Sequence, residues 1–381
     1  MAALFSGPDG APPQKGEAVD GLGKAPHQRG LLARNLENLD TAYFSWVMAT
    51  GIVSVGTQLL GLKAASRATL WVLVFAICFM AVAYIARLAF FPSAVRTSLQ
   101  DPNSAIGYLT IVAGLDVAAV RLAMDGHVLT TWVFAAIAAI VWLVFIYAVP
   151  GSIVATHHRP RPADINGGWL IIVVATQSLS IAASALSAHG ASAGQIPTLE
   201  ALAVCLWGLG VMLYLILIVI IFIRLVLVEV TASQMAPAYW IAMGATAISV
   251  RAAAGILGLS TTHSPLLTEM RPILVGLSLI LWAFGTWWIP LLIIFGIWRH
   301  ITEHYSSLYD SRLWSAVFPL GMYTVASYTL GKAVKISFLV SIARAWVYVG
   351  LVAWVIVMLL MIAAGVRSLL TIRRVPVDYG R

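Results

Sequence analysis

The stretch RLWSAVFPLGMYTVASYTLGK, residues 312–332, is about long enough to cross a bilayer, yet it contains a proline and several hydroxyl residues. Pro319 has no N–H to donate, and its ring displaces the carbonyl of Ser315, so we expect the helix to bend there. Inside a membrane, a carbonyl freed in this way must be satisfied by protein or by water. The stretch therefore predicts a bent helix beside a water-filled path.

The composition is that of an integral membrane protein. The chain has 381 residues, of which 61% are hydrophobic and 10% charged, and its mean hydropathy is +0.92. Soluble domains are roughly one quarter charged. A net charge of +8 can indicate nucleic-acid binding, but here the basic residues are dispersed between apolar runs. We therefore expect a lipid bilayer around the chain and no nucleic-acid partner.

Apolar runs of membrane-spanning length divide the chain into a single helical bundle without a soluble domain. We predict ten spans, at 43–62, 70–92, 105–124, 129–150, 168–187, 198–227, 238–258, 272–299, 313–332 and 344–366. Residues 1–40 are polar and Gly/Pro-rich and predict a disordered tail. Residues 41–370 then form the transmembrane domain, and 371–381 a short C-terminal tail.

The distribution of Lys and Arg predicts the orientation of the chain. With the N-terminus inside, 15 of these residues fall on the cytoplasmic side and 7 on the other, while Arg251 lies within a span. We expect both termini to be cytoplasmic, in a plasma or inner membrane.

Odd-numbered and even-numbered spans differ in composition. Four odd spans begin with Trp and continue with small and hydroxyl residues, and the remaining one has Tyr108 at this position. The even spans are bulkier and more apolar. Small residues let helix backbones approach closely, so we predict five helical hairpins, with the odd helices as an inner ring around a pore and the even helices outside. Ordinary helix packing without a conduit is the alternative.

Phe318 directly precedes the predicted bend. An aromatic ring that projects into a narrow conduit would dewet and occlude it, and a modest rotation would reopen it. The alternative is a core phenylalanine beside a bend without a function.

Three ionisable residues lie within predicted spans: Asp116, Arg121 and Arg251. Such residues are candidates for function. Asp116 and Arg251 lie roughly 18 and 21 Å from the cytoplasmic ends of their helices, at 1.5 Å per residue. They could form an ion pair across the inner helices, or Arg251 could contact an anion in the pore. Arg121 is expected to snorkel or to line the outer mouth.

Polar and small residues of the odd helices are candidates to line the pore. They could hold an anion loosely enough for it to leave, although a membrane Ser or Thr can equally bond to its own helix. The candidates are Thr50, Gly51, Ser54, Thr110, Thr176, Gln177, Ser178, Thr246, Ser249, Tyr323, Thr324 and Ser327.

The remaining candidate chemistry is sparse. Cys78 and Cys205 lie in apolar runs and predict no disulfide, and the eight histidines lie outside the strongest apolar runs, with His157 and His158 in a solvated loop. We expect no metal and no cofactor. A membrane-embedded enzyme is a remote alternative because no acid-base pair beyond Asp116 lies in the spans. A receptor or scaffold would need a sizeable extramembrane domain.

The phrases FSWVMATGIVSVG, DPNSAIGYLTIVAGLDV, GGWLIIVVATQSLS, YWIAMGATAIS and LWSAVFPLGMYTVASY resemble the tellurite-resistance/dicarboxylate transporter family. Its relatives include the plant slow anion channels and the yeast malate and sulfite carriers. The resemblance covers about residues 40–370. It implies a ten-helix homotrimer with a pore through each protomer, closed by a phenylalanine that precedes proline, which here is Phe318.

The resemblance also implies the transport of small anions, such as C4 dicarboxylates, sulfite, chloride or nitrate. A gated channel and a proton-coupled carrier or efflux pump stay open as mechanisms, since a carrier would require a titrating carboxylate and Asp116 lies well inside a span.

Overall fold

The computed structural model describes residues 31–155, 164–229, 231, 237–260, 264–303 and 309–373. Within these ranges the chain is helical and contains no strand. The helices are α1 Leu31–Glu37, α2 Ser45–Leu59, α3 Lys63–Phe90, α4 Pro92–Gln100, α5 Pro102–Gly107, α6 Leu109–Ala123, α7 Val128–Ala155, α8 Ile171–His189, α9 Ile196–Leu227, α10 Ile241–Leu257, α11 Pro265–Glu303, α12 Trp314–Ala333 and α13 Ser337–Arg373. Short 3-10 turns precede α8, α10 and α12.

The all-α membrane fold is confirmed. Eight helical segments of the described chain are long and apolar enough to cross a bilayer. Each of the ten predicted spans coincides with a helix. Two of these ten helices, α2 and α12, are not among the eight segments that are long and apolar enough to cross a bilayer. Helix α2 has only 15 residues, and α12 is rich in Gly, Ser, Thr and Tyr.

Five of the helices form a closed ring. Helix α2 packs on α6, α6 on α8, α8 on α10, α10 on α12, and α12 again on α2. We call these the inner helices, and α3, α7, α9, α11 and α13 the outer helices. Buried residues make up 83–89% of the apolar windows in the segments that contain α6, α8 and α10, but only 11–39% in the outer helices. The ring is thus the core of the molecule, and the outer helices present their apolar side chains outward.

Consecutive inner and outer helices pack together because their connections are tight. Gly61, between α2 and α3, has φ +80°, and Gly126, between α6 and α7, has φ +86°. Only glycine adopts this left-handed region without strain. Both turns lie where inner helices end, so the chain reverses direction within a few residues.

Tryptophans of four outer helices bind the next inner helix around the ring. The indole N–H of Trp354 donates to the Thr50 hydroxyl at 3.0 Å, and that of Trp282 donates to Ser327 at 2.8 Å. Trp142 likewise donates to Thr176, and Trp207 to the carbonyl of Ser249. Each of these bonds satisfies two polar groups that lipid could not satisfy, so they fix each outer helix in the groove between two inner helices.

The predicted disordered tail is wrong for residues 31–40. They form α1 and a turn, since the guanidinium of Arg87 donates to the Glu37 carbonyl and the Tyr84 hydroxyl to the carbonyl of Thr41. Residues 1–30 and 374–381 of the predicted tails lie outside the described residues, as do His157 and His158. Both cysteines are free and exposed on outer helices.

Candidate functional site: the axis of the inner ring

Three cavities lie within the ring of inner helices. The N-side cavity, about 150 Å³, lies where these helices begin, and the C-side cavity, about 380 Å³, lies where they end. Between them is a central cavity of about 20 Å³, which is room for one water molecule.

All five inner helices contribute to the central cavity. Its lining is mostly apolar, with three polar side chains, Asp116, Ser178 and Arg251. The apolar lining residues are Ile52, Val55, Val117, Val120, Ile181, Met322 and Val325. Val55, Val120 and Arg251 also line the C-side cavity, so the two cavities adjoin.

The N-side cavity is lined by two charged residues, Asp40 and Arg312, and Arg312 is ion-paired. Arg312 forms an ion pair with Asp310, with 2.7 Å between Nη2 and Oδ2. Burial by itself raises the pKa of Asp310, but its hydrogen bonds to Arg312 and the Arg312 charge more than offset this, and the pKa is lowered overall. Asp310 also accepts from the backbone N–H of Arg312 and so caps the turn that begins α12.

Phe318 lies on α12 between the N-side and central cavities. Ser315 lines the N-side cavity, whereas Met322 and Val325 line the central one. Residues three, four and seven apart share a helix face, so Phe318 shares the face that these residues turn to the axis. At 1.5 Å per residue it lies roughly 5 Å from Ser315 and 6 Å from Met322 along the helix. Its side chain is completely buried.

Helix α12 continues through Pro319 as one helix, and the bend stays a prediction. Close contacts with its neighbours flank Phe318. A Cβ at Gly244 of α10 would lie 2.8 Å from Cγ of Pro319, and a Cβ at Gly321 would lie 2.8 Å from Ile52 of α2. A methyl group at either position would force the facing Pro319 or Ile52 side chain, or the helix that carries it, to shift.

The expected direct ion pair between Asp116 and Arg251 is not formed, although both side chains line the central cavity. Oδ2 of Asp116 accepts from the Ser178 hydroxyl at 2.6 Å, while Oδ1 is buried without a partner. Arg251 has neither a hydrogen bond nor an ion pair with any residue of the described chain. Ser178 takes the place of Arg251 because it projects from α8, directly beside α6 in the ring.

Arg121 does not line the outer mouth, and the expectation that it snorkels is also wrong. Its side chain is buried and donates to the hydroxyls of Ser54 and Ser66, at 3.0 and 3.1 Å. It also pairs with Asp125 at 2.8 Å. Arg121 thus joins α6 to α2 and α3, and Ser54 serves as its partner instead of facing the axis.

Most of the other predicted pore-lining residues lie at helix interfaces. Thr50, Thr176 and Ser327 accept indole N–H bonds from outer helices. The remaining interface residues are Gly51 against Val117, Gln177 against Trp207, Thr246 against Gly285, Tyr323 against Thr286, and Thr324 beside Gly56. Ser249 bonds to its own helix at Ala245. Thr110 lines the N-side cavity, and Ser178 and Arg251 line the central one.

Sequence reasoning missed the apolar residues that line the axis. In α12, Met322 and Val325 lie four and seven residues after Phe318, and in α6 Val117 and Val120 lie one and four after Asp116. Helical spacing from the two named residues would have identified Met322, Val325 and Val120, but not Val117, which directly follows Asp116. Nothing in their residue types separates them from ordinary core positions.

Comparison with known proteins identifies the family of the chain. Residues 38–362 match the family model SLAC1, described as voltage-dependent anion channel. "Uncharacterized transporter MJ0576" of Methanocaldococcus jannaschii is 28% identical over 312 residues, 79% of this chain and 86% of the relative. "Uncharacterized membrane protein Rv1735c" of Mycobacterium tuberculosis is 37% identical over 150 residues, 39% of this chain and 75% of the relative. The chain forms a five-helix ring with cavities along its axis and matches this family model over most of its length. It therefore belongs to the SLAC1 family of membrane anion transporters.

Proposed function

We propose that the protein conducts small anions along the axis of the inner ring, through the three cavities in turn, and that Phe318 is the gate. What supports the proposal is that Phe318 lies on α12 between Ser315, which lines the N-side cavity, and Met322 and Val325, which line the central one. A fully buried aromatic ring at a narrow, apolar section of a path excludes water, and an anion cannot cross a dry section at acceptable cost.

A positive charge near the middle of the axis supports an anion path. Arg251 lies at the junction of the central and C-side cavities and forms no direct ion pair in the described chain, although Asp116 lines the same central cavity and Asp40 lines the N-side cavity. One unpaired guanidinium attracts an anion without holding it too tightly for release. The C-side cavity is large enough for a C4 dicarboxylate such as malate as well as for inorganic anions.

In this proposal the five inner and five outer helices cross the membrane as five hairpins, with the inner helices around the pore. Exposed apolar side chains on the outer helices, such as Trp71, Phe75 and Ile140, support contact with lipid or with a second protomer. From the excess of Lys and Arg we place the N-side cavity and both termini in the cytoplasm, with the protein in the plasma or inner membrane. From the family resemblance we propose a homotrimer.

Anion currents across planar bilayers test the gate. Phe318→Ala removes the ring and should enlarge the anion current at least tenfold over wild type. Phe90→Ala, which truncates an exposed phenylalanine at the end of α3, is the matched control and should leave the current unchanged. Equal currents in all three proteins would reject the gate. If anion uptake is saturable and pH-dependent and no current is measured, the mechanism is that of a proton-coupled carrier and not of a channel.

A further inference from the structure

The central cavity contains a carboxylate and a guanidinium that do not touch. Asp116 is almost completely buried, one oxygen is held by Ser178, and the other has no hydrogen-bond partner. Arg251 lines both the central and the C-side cavity and is unpaired within the described chain. Both groups therefore face the same apolar space, where charges interact strongly.

We propose that Arg251 binds one small anion where the central and C-side cavities meet, and that Asp116 must be protonated for this anion to bind tightly. The inference rests on the proposed anion path but adds the role of Asp116. While Asp116 is ionised, its negative charge compensates Arg251 and repels an anion. When Asp116 takes up a proton, Arg251 is left as an uncompensated positive charge in the cavity.

Among the residues that the structure describes, Arg251 is the only other ionisable group that lines the cavity with Asp116. The lining contributed by α2 and α12 is aliphatic or Met, α8 contributes Ser178 and Ile181, and α10 contributes Arg251. Helix α7, which packs on the far side of α6, contains no Asp, Glu, Lys, Arg or His. Farther out, Arg121 is compensated by Asp125.

His189 is the other ionisable side chain that lines the C-side cavity beside Arg251. A test must therefore separate His189 from Asp116.

Thermodynamic linkage predicts the size of the effect. If one proton binds with each anion, the dissociation constant rises by up to about tenfold for each pH unit above the pKa of Asp116. By the same linkage, anion binding at constant pH draws a proton onto the protein.

The experiment measures equilibrium binding of radiolabelled chloride, and in a second arm of succinate, to the protein in lipid nanodiscs between about pH 5 and about pH 9. Wild type should bind more weakly as pH rises. Asp116→Asn, whose amide oxygen can still accept from Ser178, should bind at every pH as tightly as wild type does at low pH. Arg251→Gln should lose binding at least tenfold, and His189→Gln should keep the pH dependence.

If Asp116 had only a structural role, the opposite result is expected. The Asp116→Asn protein would then bind anions more weakly or unfold at a lower temperature, and its binding would keep the pH dependence of wild type. A variant-free measurement is proton uptake by wild type on addition of chloride, followed with a pH indicator in weak buffer. Binding of equal strength at all pH values without proton uptake would overturn the inference and leave the anion path intact. Absence of binding together with absence of current in Phe318→Ala would overturn both.

Discussion

Gly244 of α10 and Pro319 of α12 are in direct contact, so closely that a Cβ on Gly244 would lie 2.8 Å from Cγ and 3.2 Å from Cβ of the proline ring. The contact lies one residue from Phe318. The contact therefore fixes how closely α10 and α12 approach each other next to Phe318.

Substitution of Gly244 should displace α12. Gly244→Ala places a methyl group against the proline ring, and overpacking of this kind costs about 1 to 3 kcal/mol. We expect a lower melting temperature in detergent and a changed basal anion current. Gly208→Ala on α9, where no heavy atom lies within 4 Å of the added Cβ, is the control. If the two variants melt alike, the close contact does not constrain the helix.

Thr50 should contribute to stability and not to anion selectivity, because its hydroxyl accepts from the Trp354 indole. Thr50→Val and Trp354→Phe should each lower the unfolding free energy. Their double-mutant cycle should give a coupling of roughly 0.6 kcal/mol, the average for hydrogen bonds between membrane helices.

The same Thr50→Val variant should retain the wild-type permeability ratios. Trp71→Phe, on an exposed part of α3, serves as the control for loss of an indole. A change in permeability ratio with unchanged stability would place Thr50 on the anion path after all.

Arg121 should act as a buried link between helices. Arg121→Met removes the guanidinium that pairs with Asp125 and donates to two serine hydroxyls. It should lower the free energy of unfolding by up to about 3 kcal/mol. The loss is not larger because the Asp125 side chain is 32% exposed and can be solvated. Arg67→Met, at an exposed position on α3, should change little. Thermal unfolding in detergent checks the effect. If the Arg121→Met protein is as stable as wild type but has altered anion selectivity, Arg121 lines the outer mouth of the pore and does not act as a structural link.

The fold was largely predictable because hydropathy and small-residue content report directly on lipid exposure and on close helix packing. The ten predicted spans coincide with helices, and the odd ones form the ring. Proline chemistry and the family resemblance both pointed to the Phe318-Pro319 pair, and its role as a gate stays a prediction.

The site was predicted less well because residue type does not reveal the direction in which a side chain points. A serine in a membrane helix must be satisfied, but Ser54 meets Arg121, Ser327 meets an indole, and only Ser178 meets Asp116 in the central cavity. Likewise, the sequence predicts a common depth for Asp116 and Arg251, and both line the central cavity, but a common depth does not distinguish a direct ion pair from two groups that share a cavity.

Cysteine accessibility on the two sides of Phe318 tests the central claim most directly. In a background with Cys78 and Cys205 replaced by Ala, Val55→Cys places a thiol where the central and C-side cavities meet. Dicyanoaurate, a small anion that reacts with thiols, should label it from the C-side but not from the N-side, and Phe318→Ala should open the N-side route. Val53→Cys, packed against Gly321, should stay unlabelled. Labelling from the N-side with Phe318 intact, or protection from both sides in both backgrounds, would contradict the account.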